Sequence, residues 1–572
     1  MSNISDNKED INHLSEKSSL LQYTLTPELV IAYRRCPREC WIRYFEYRDD
    51  DETENGKKLP DLSEETEFQP ELDLPNHLGV ALFISAELMA TPDHILESRP
   101  ALYSMPNGTL AITSNLHHLS REENLVYLAL NSYILMMNGI SCHQGIIINQ
   151  IGIVSEVTDI SKFSVNEALS LANGAYKTLH KSKPDTPKIA SSCCDNCKMA
   201  ERCLPDEYSI LGEYENLTAK QKRMLFAPTN DSQAVFVTTQ GSHIRLSGER
   251  IIITYKDDTE TSKPIGEISQ LVLMGNIQIT SPCMIHLIKR GIPVIFTSEF
   301  GWYYGMLTGP QIGVKNSKAL QQQIIWAKDP RASAAIARKM ITAKINNQRT
   351  LIRNLLKGTD SYWKTRILSA MKELSQKCLA SSNTGQIMGF EGEAAAIYFE
   401  ALEAIIANYG NDLNMMGRTR KPPQDPVNSM LSFGYTLLLQ DVLAATSAQG
   451  LNQWVGFLHT QRSGKPSLIL DLMEEFRPTI VDSIVVQIVS HKLLKLSDFT
   501  FFHNEKNINE CTFTKEGKKK FLLQYDRKMN SLITHPMFTY KVSWRKAIWI
   551  QVQILCKVLQ GEIAEYQGLE RR

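Results

Sequence analysis

The spacing of apolar residues changes character along the chain. Between 27 and 48, PELVIAYRRCPRECWIRYFEYR repeats apolar positions at helical spacing, with Pro27 near the start and a break at CPREC before the pattern resumes. Strand-like runs follow in GVALFISAEL, ALYSMPNGTLAIT and GIIINQIGIVSEV, the second carrying a Pro-Asn-Gly turn signal. NLVYLALNSYILMMNG reads as a helix ending at Gly139, and SVNEALSLANGAYKTLHKSK as an amphipathic helix. Strands and helices alternating in this way predict an α/β domain built on one sheet.

From about residue 226 the texture turns to short β-type runs separated by turn residues, in AVFVTTQGSHIRLSGERIIITYK, GEISQLVLMGNIQIT and GIPVIFTSEFGWYYGML. After about 316 the pattern is helical nearly to the end, through AAIARKMITAKINNQRTLIRNLL, EGEAAAIYFEALEAIIANYG, MLSFGYTLLLQDVLAAT, RPTIVDSIVVQIVSHKLL and WRKAIWIQVQILCKVLQGEI. The expected organisation is a disordered tail over 1–20, an α/β domain over 21–207 and a linker over 208–225. A small β-rich domain over 226–315 and a large all-α domain over 316–572 complete it. Residues 49–73 hold eleven acids against two lysines and almost no aromatics, which marks a solvated or disordered insertion.

At 572 residues the chain exceeds a single core. Its 43% hydrophobic and 22% charged content is the usual balance of a globular protein, and no run of about 18 apolar residues suggests a membrane span. The polar, acidic start MSNISDNKEDINHLSEKSS lacks the apolar core of a signal peptide, so a cytoplasmic location is expected. The formal net charge of zero hides an asymmetry. Residues 1–100 carry 21 acids and 10 bases, and the remainder carries 41 acids and 52 bases, an excess that permits DNA binding without proving it.

Eleven cysteines, unevenly spread, fit a reducing compartment and metal binding better than a disulfide framework. CCDNCKMAERC at 193–203 offers Cys194, Cys197 and Cys203 in a C-x2-C-x5-C spacing, and Cys36 in YRRCPREC can be a distant fourth ligand. Four soft thiolates suit zinc or an iron–sulfur cluster. CPR near the start and CDNCKMAERCLPDE at the end closely resemble the RecB-like exonucleases of CRISPR systems, the Cas-four family, over about 21–207. The resemblance implies a restriction-endonuclease-like α/β fold in which Cys36, Cys194, Cys197 and Cys203 hold a 4Fe–4S cluster, leaving Cys40 and Cys193 as spares. It also implies a nuclease centre of His, Asp, acid-x-Lys and Gln, and here the chain departs from the pattern. Asp93 remains, but AITSNL puts Thr113 and Asn115 where the acid and lysine belong, Tyr127 stands in the glutamine position, and His77 is a poor match for the histidine. The front domain is therefore expected to keep its cluster and lose hydrolysis.

A second constellation lies in the helical part. Glu391 sits in MGFEGEAAAIYFEAL, His459 in WVGFLH, and Asp471 and Glu474 in LILDLMEEFRP, where they share a helix face at i,i+3. Buried acids on an apolar helix need a positive partner, and a mix of carboxylates and one imidazole suits Mn²⁺ or Mg²⁺. Each motif alone also reads as a solvated charge, a core histidine or a helix-start acid. Together, LVLMGNIQIT, KRGIPVIF, IARKMITAKINNQR, GFEGEAAAIYF, RKPPQDPVNSMLSFGYTLL, GFLH and LILDLMEEFRP closely resemble the CRISPR spacer-acquisition endonuclease/integrase, the Cas-one family, over about 226–572. The whole chain resembles natural fusions of the two families.

That resemblance implies a catalytic metal on Glu391, His459 and Glu474, with Asp471 alongside. It implies insertion of DNA fragments into a CRISPR array by 3′-hydroxyl transesterification, in a homodimer assembled with the small Cas-two partner. Lys344, Arg349, Arg353, Arg418, Arg420 and Lys421 are the expected phosphate contacts, or else a solvated basic face, and Asn428 and Tyr435 lie near enough to orient DNA. A metal-dependent nuclease for branched DNA and a silent DNA-binding scaffold are the competing readings.

Overall fold

The computed structural model describes residues 23–45, 83–211 and 233–571, apart from short breaks within the last two spans. The 1–20 tail, the 49–73 insertion, most of the 208–225 linker, His77 and Asn115 lie outside the described residues. The chain divides into two compact units, Met1–Met199 and Ala200–Arg572.

In the first unit, helices Pro27–Arg35 and Pro37–Phe45 are split at Cys36, whose φ of −159° is extended. A residue before proline is pushed out of the helical region, so CPREC breaks the pattern where the sequence placed the interruption. Five strands form one sheet in the order Phe83–Ser85, Ala101–Ser104, Leu110–Ser114, Gln144–Ile148, Val154–Asp159. Leu110–Ser114 and Gln144–Ile148 run parallel, joined through the helix Arg121–Met137, and the other pairs are antiparallel. That helix starts on a capping box in which the Ser120 hydroxyl accepts from Glu123 N and the Glu123 carboxylate accepts from Ser120 N.

The second unit opens with residues 200–211. The expected boundary after Glu207 falls inside this unit, because the segment is tied down by hydrogen bonds: Tyr208 Oη donates to Glu562 O, Tyr540 Oη to Glu207, and Gln553 Nε2 to Arg202 O. The β-rich part contains two four-stranded sheets and the helix Ser281–Lys289. Ile268–Met274 pairs in parallel with Gln233–Val237 and Val294–Thr297, and its near-continuous apolar run is buried.

The helical part is dominated by Pro330–Leu355, Tyr362–Ala380, Thr384–Ala407, Pro426–Ala448, Lys515–Asn530 and Trp544–Leu559. Two of these start alike. Asp329 and Asp425 cap the helices that open with Pro330 and Pro426, where the missing N–H costs nothing. Trp544–Leu559 is buried on every side, with only Arg545 and Trp549 partly exposed. The part is not all-α: hairpins Phe499–His503/Asn509–Phe513 and Leu532–Thr534/Lys541–Ser543 interrupt it. Among the described residues no helix is long and apolar enough to cross a membrane.

Candidate active site

The helix Ser467–Met473 carries Asp471 on a side that faces the loop 451–459. Phe457 N and Leu458 N donate to Asp471 Oδ2 at 2.6 and 3.0 Å, and His459 N donates to Oδ1 at 3.0 Å. The His459 ring adds Nδ1 to the same Oδ1 at 2.6 Å. The loop can approach this closely because residue 456 is glycine. A Cβ there would stand 2.6 Å from Asp471 Oδ2 and 2.8 Å from the Ser467 carbonyl carbon. Asp471, expected beside the metal ligands, is instead occupied in shaping this loop and aiming the imidazole. Its carboxylate is 1% exposed and has four donors already.

Glu474 follows at the end of the same helix, 1% exposed. Arg477 Nη1 lies 3.0 Å from its Oε1, and Lys344 Nζ 2.6 Å from its Oε2. Burial alone would raise its pKa, but the Arg477 and Lys344 charges outweigh burial and hold the carboxyl well below the usual range. Glu391, on Thr384–Ala407, reaches the same ammonium, with Oε1 2.5 Å from Lys344 Nζ. Two carboxylates from different helices thus converge on one cation. His459 belongs to the same electrostatic neighbourhood. Burial lowers its pKa, yet the Asp471 hydrogen bond and charge, with Glu474 and Glu391 behind them, raise it above the ordinary value.

Among the described residues no three His, Cys, Asp or Glu side chains stand close enough to share a metal ion as they are placed. At the carboxylate site the reason is visible: the Lys344 ammonium lies between the two glutamates, and the imidazole Nδ1 is committed to Asp471. The residue types nonetheless fit a hard cation. Two carboxylates from separate helices flank one cation, Lys344, and a carboxylate pair with an imidazole nearby is an oxygen-rich donor set of the kind a hard divalent ion takes.

Beside the carboxylates opens a cavity of about 490 Å³. Lys344 and Arg477, the two cations paired with Glu474, line it together with Phe300, Trp302, Arg418 and Lys421. Of the expected phosphate contacts, Arg353 and Arg420 are exposed, and Lys421 is exposed with Nζ 4.8 Å from the Trp302 ring centre. The others have internal tasks. Lys344 sits among the carboxylates, and Arg349 Nε donates to Leu368 O at 2.9 Å. Arg418 Nη1 donates to Asn428 Oδ1 at 2.8 Å and its guanidinium lies over Phe399 and Tyr435.

Arg477 and the exposed aromatics Phe300 and Trp302 were not anticipated from the sequence, although EFRP and EFGWYYG stood beside motifs already singled out. Asp482 accepts from Tyr398 Oη at 2.7 Å and Tyr435 Oη at 2.6 Å. Burial lifts its carboxyl to about 6.

In the first unit Cys36 separates the two short helices, Cys194 ends a 3₁₀ turn, and Cys197 N donates to Cys194 O at 3.3 Å. Cys203 ends the helix Ala200–Cys203 of the second unit. Cys40 is fully buried and its thiol is pushed up to about 12 by that burial, which suits a core side chain. Thr113 is buried and donates to Ala101 O, Tyr127 is buried, and Asp93 is exposed in a turn.

The family model described as "CRISPR associated protein Cas1" matches residues 235–527. The chain is 30% identical over 411 residues to the CRISPR-associated exonuclease Cas4/endonuclease Cas1 fusion of Rhodospirillum rubrum, covering 71% of this chain and 69% of that one. The protein of the same description from Geobacter sulfurreducens is 30% identical over 395 residues, covering 68% and 67%. Among solved structures, a chain of a Cas6-RT-Cas1–Cas2 complex matches with a TM-score of 0.51 and 22% identity, covering 62% of this chain and 38% of that one. A casposase bound to integration product matches with a TM-score of 0.50 and 20% identity, covering 59% and 96%. The two structural likenesses show that the second unit has the Cas1 fold, a β-rich part followed by a helical one.

Proposed function

The chain belongs to the CRISPR-associated exonuclease Cas4/endonuclease Cas1 fusions and is a nuclease-class enzyme of CRISPR adaptation, an integrase; from that premise we propose that Glu391, His459 and Glu474 form its active site. The observation that carries the proposal is the meeting of Glu391 and Glu474, from two helices, on a single cation. These two carboxylates and the imidazole would hold Mn²⁺ or Mg²⁺, with Asp471 fixing the imidazole from behind. When bound, the ion supplies Lewis-acid polarisation of the scissile phosphate and stabilises the departing oxygen.

The side chains do the rest. The nucleophile is the 3′-hydroxyl of an incoming DNA fragment. Its oxygen forms the new bond to phosphorus as the bond to the 3′-oxygen of the cut strand breaks, and the hydroxyl proton ends on that leaving oxygen. No covalent enzyme intermediate is needed. Arg477 neutralises Glu474 and lines the cavity, so it is placed to face a phosphate. Arg420 and Lys421 hold the DNA backbone, and Phe300 and Trp302 offer faces on which unpaired bases stack.

The domain expected over 21–207 would recognise or hold fragment ends through a 4Fe–4S cluster on Cys36, Cys194, Cys197 and Cys203, without cutting them. Neutral, buried Thr113 and Tyr127 at positions that need charge or proton handling support that loss. The proposed assembly is a homodimer with the small Cas2 partner on DNA. The test is joining of a 3′-hydroxyl fragment into a supercoiled plasmid carrying a repeat array. Wild type joins, and Glu391→Ala abolishes joining. Nicks without joined product support a branched-DNA nuclease, and no cleavage at all supports a silent scaffold. Brown colour in anaerobically purified protein supports the cluster, and colourless protein containing zinc overturns it.

A further inference from the structure

We propose that Lys344 is the resident counter-ion of the carboxylate site, which leaves its place when a divalent cation enters and turns into the adjoining cavity to meet a DNA phosphate. The inference deepens the active-site reading and rests on it. Lys344 Nζ lies 2.5 Å from Glu391 Oε1 and 2.6 Å from Glu474 Oε2, and its side chain is 7% exposed. Arg477 neutralises the remaining oxygen of Glu474, and Asp471 is satisfied by three backbone N–H groups and the imidazole. The cluster is therefore balanced without a metal. A divalent ion placed between the glutamates beside the ammonium puts three positive charges within a few ångströms, and like charges this close in a buried site repel strongly.

One of the two cations must move, and the geometry selects Lys344. Its ammonium pairs with the same two carboxylates that would ligate the ion, donating to Glu391 Oε1 and lying against Glu474 Oε2, whereas Arg477 pairs with Glu474 alone and also stacks on Tyr435, with its guanidinium 4.9 Å from the ring centre. A lysine head is a point charge on a flexible four-carbon stem, easily redirected. Lys344 also lines the cavity, so it has a place to go. The cavity already carries Arg418, Arg420 and Lys421, which makes an ammonium unwelcome there until an anion arrives. A DNA phosphate in the cavity draws Lys344 out, and metal entry pushes it out, so metal and DNA favour each other's binding. By linkage each raises the other's affinity by the same factor.

A lysine that merely braces the two glutamates gives the opposite sign: its loss would let them part and weaken metal binding. The test is Mn²⁺ affinity of the full chain, read from the free-ion electron paramagnetic resonance signal. Wild type is expected to bind, and Glu391→Gln to lose that site. Lys344→Met should bind Mn²⁺ at least about tenfold more tightly without DNA, a gain of about 1.4 kcal/mol. It should also lose most of the affinity that a short DNA with a free 3′ end adds in wild type. Equal or weaker Mn²⁺ binding by Lys344→Met, with wild-type binding intact, overturns the counter-ion role alone. Absence of a Glu391-dependent Mn²⁺ site in wild type overturns both readings. A measurement on unaltered protein guards against a variant that fails to fold. Acetylation followed by mass spectrometry should find Lys344 protected without Mn²⁺ and modified at saturating Mn²⁺, and continued protection sinks the idea.

Discussion

Both oxygens of Asp471 accept hydrogen bonds from backbone N–H groups, so an amide there would turn one donor against others. Asp471→Asn is expected to lower strand joining about 10–100-fold, the range for groups that orient a metal-ligating histidine, while unfolding remains cooperative. Gly456→Ala should fall in the same range, since its Cβ would push the loop off Asp471. Both are read from joining rates beside urea unfolding curves. His535 carries a pH prediction. Its ring is fully buried, stacks on Phe538 and has no hydrogen bond at either nitrogen, and burial lowers its pKa from 6.5 to about 3. Between those values the unfolded chain binds a proton that the native state refuses. Stability from this group is thus complete above about 6.5 and is lost as pH falls towards 3, with a slope of up to about 1.4 kcal/mol per pH unit. His535→Phe should unfold less steeply with acid than wild type in that window, as followed by thermal melts. The residue types of the proposed site could be named from the sequence only because their motifs occur together and in order, each alone being open to a plainer reading. Their division of labour could not. Asp471 and Glu474 share a helix face, and only the fold reveals that one meets backbone donors and the other two cations.

The long helices were readable because their spacing is sustained and their starts are punctuated, as at Asp329-Pro330 and Asp425-Pro426. The hairpins at 499–513 and 532–543 were not, since strands of three to five residues without a tight Gly turn give too few alternations to stand out from helical neighbours. Just past the Ser467–Met473 helix, the chain is hydrogen-bonded to a segment far along the sequence. Glu475, fully buried and lifted to about 8 by burial, accepts from Tyr566 Oη at 2.5 Å and from Leu569 N. Asn347 Nδ2, on the Pro330–Leu355 helix, bonds both Glu475 O and Leu569 O. The last turns of the described chain therefore clamp together the two helices that carry Lys344 and Glu474. Tyr566→Phe leaves a buried carboxyl oxygen without its donor, which should cost about 1–3 kcal/mol by urea unfolding.

Over the whole molecule, the excess of bases in residues 101–572 becomes meaningful once Arg420 and Lys421 are found exposed at the cavity. DNA affinity should fall with salt, and Arg420→Ala with Lys421→Ala should flatten the log–log slope by about two while weakening all sequences alike. Fluorescence anisotropy from roughly 50 to 200 mM salt measures it. The helix Trp544–Leu559 extends the picture to synthesis. It packs against Lys318–Lys328, Pro426–Ala448 and Lys515–Asn530, and it emerges from the ribosome after all three. Until then those earlier segments wait with their oily sides uncovered, and apolar surface left open in this way is prone to aggregation. A premature stop before Trp544 should yield a product that decays far faster than the full chain in a pulse-chase experiment.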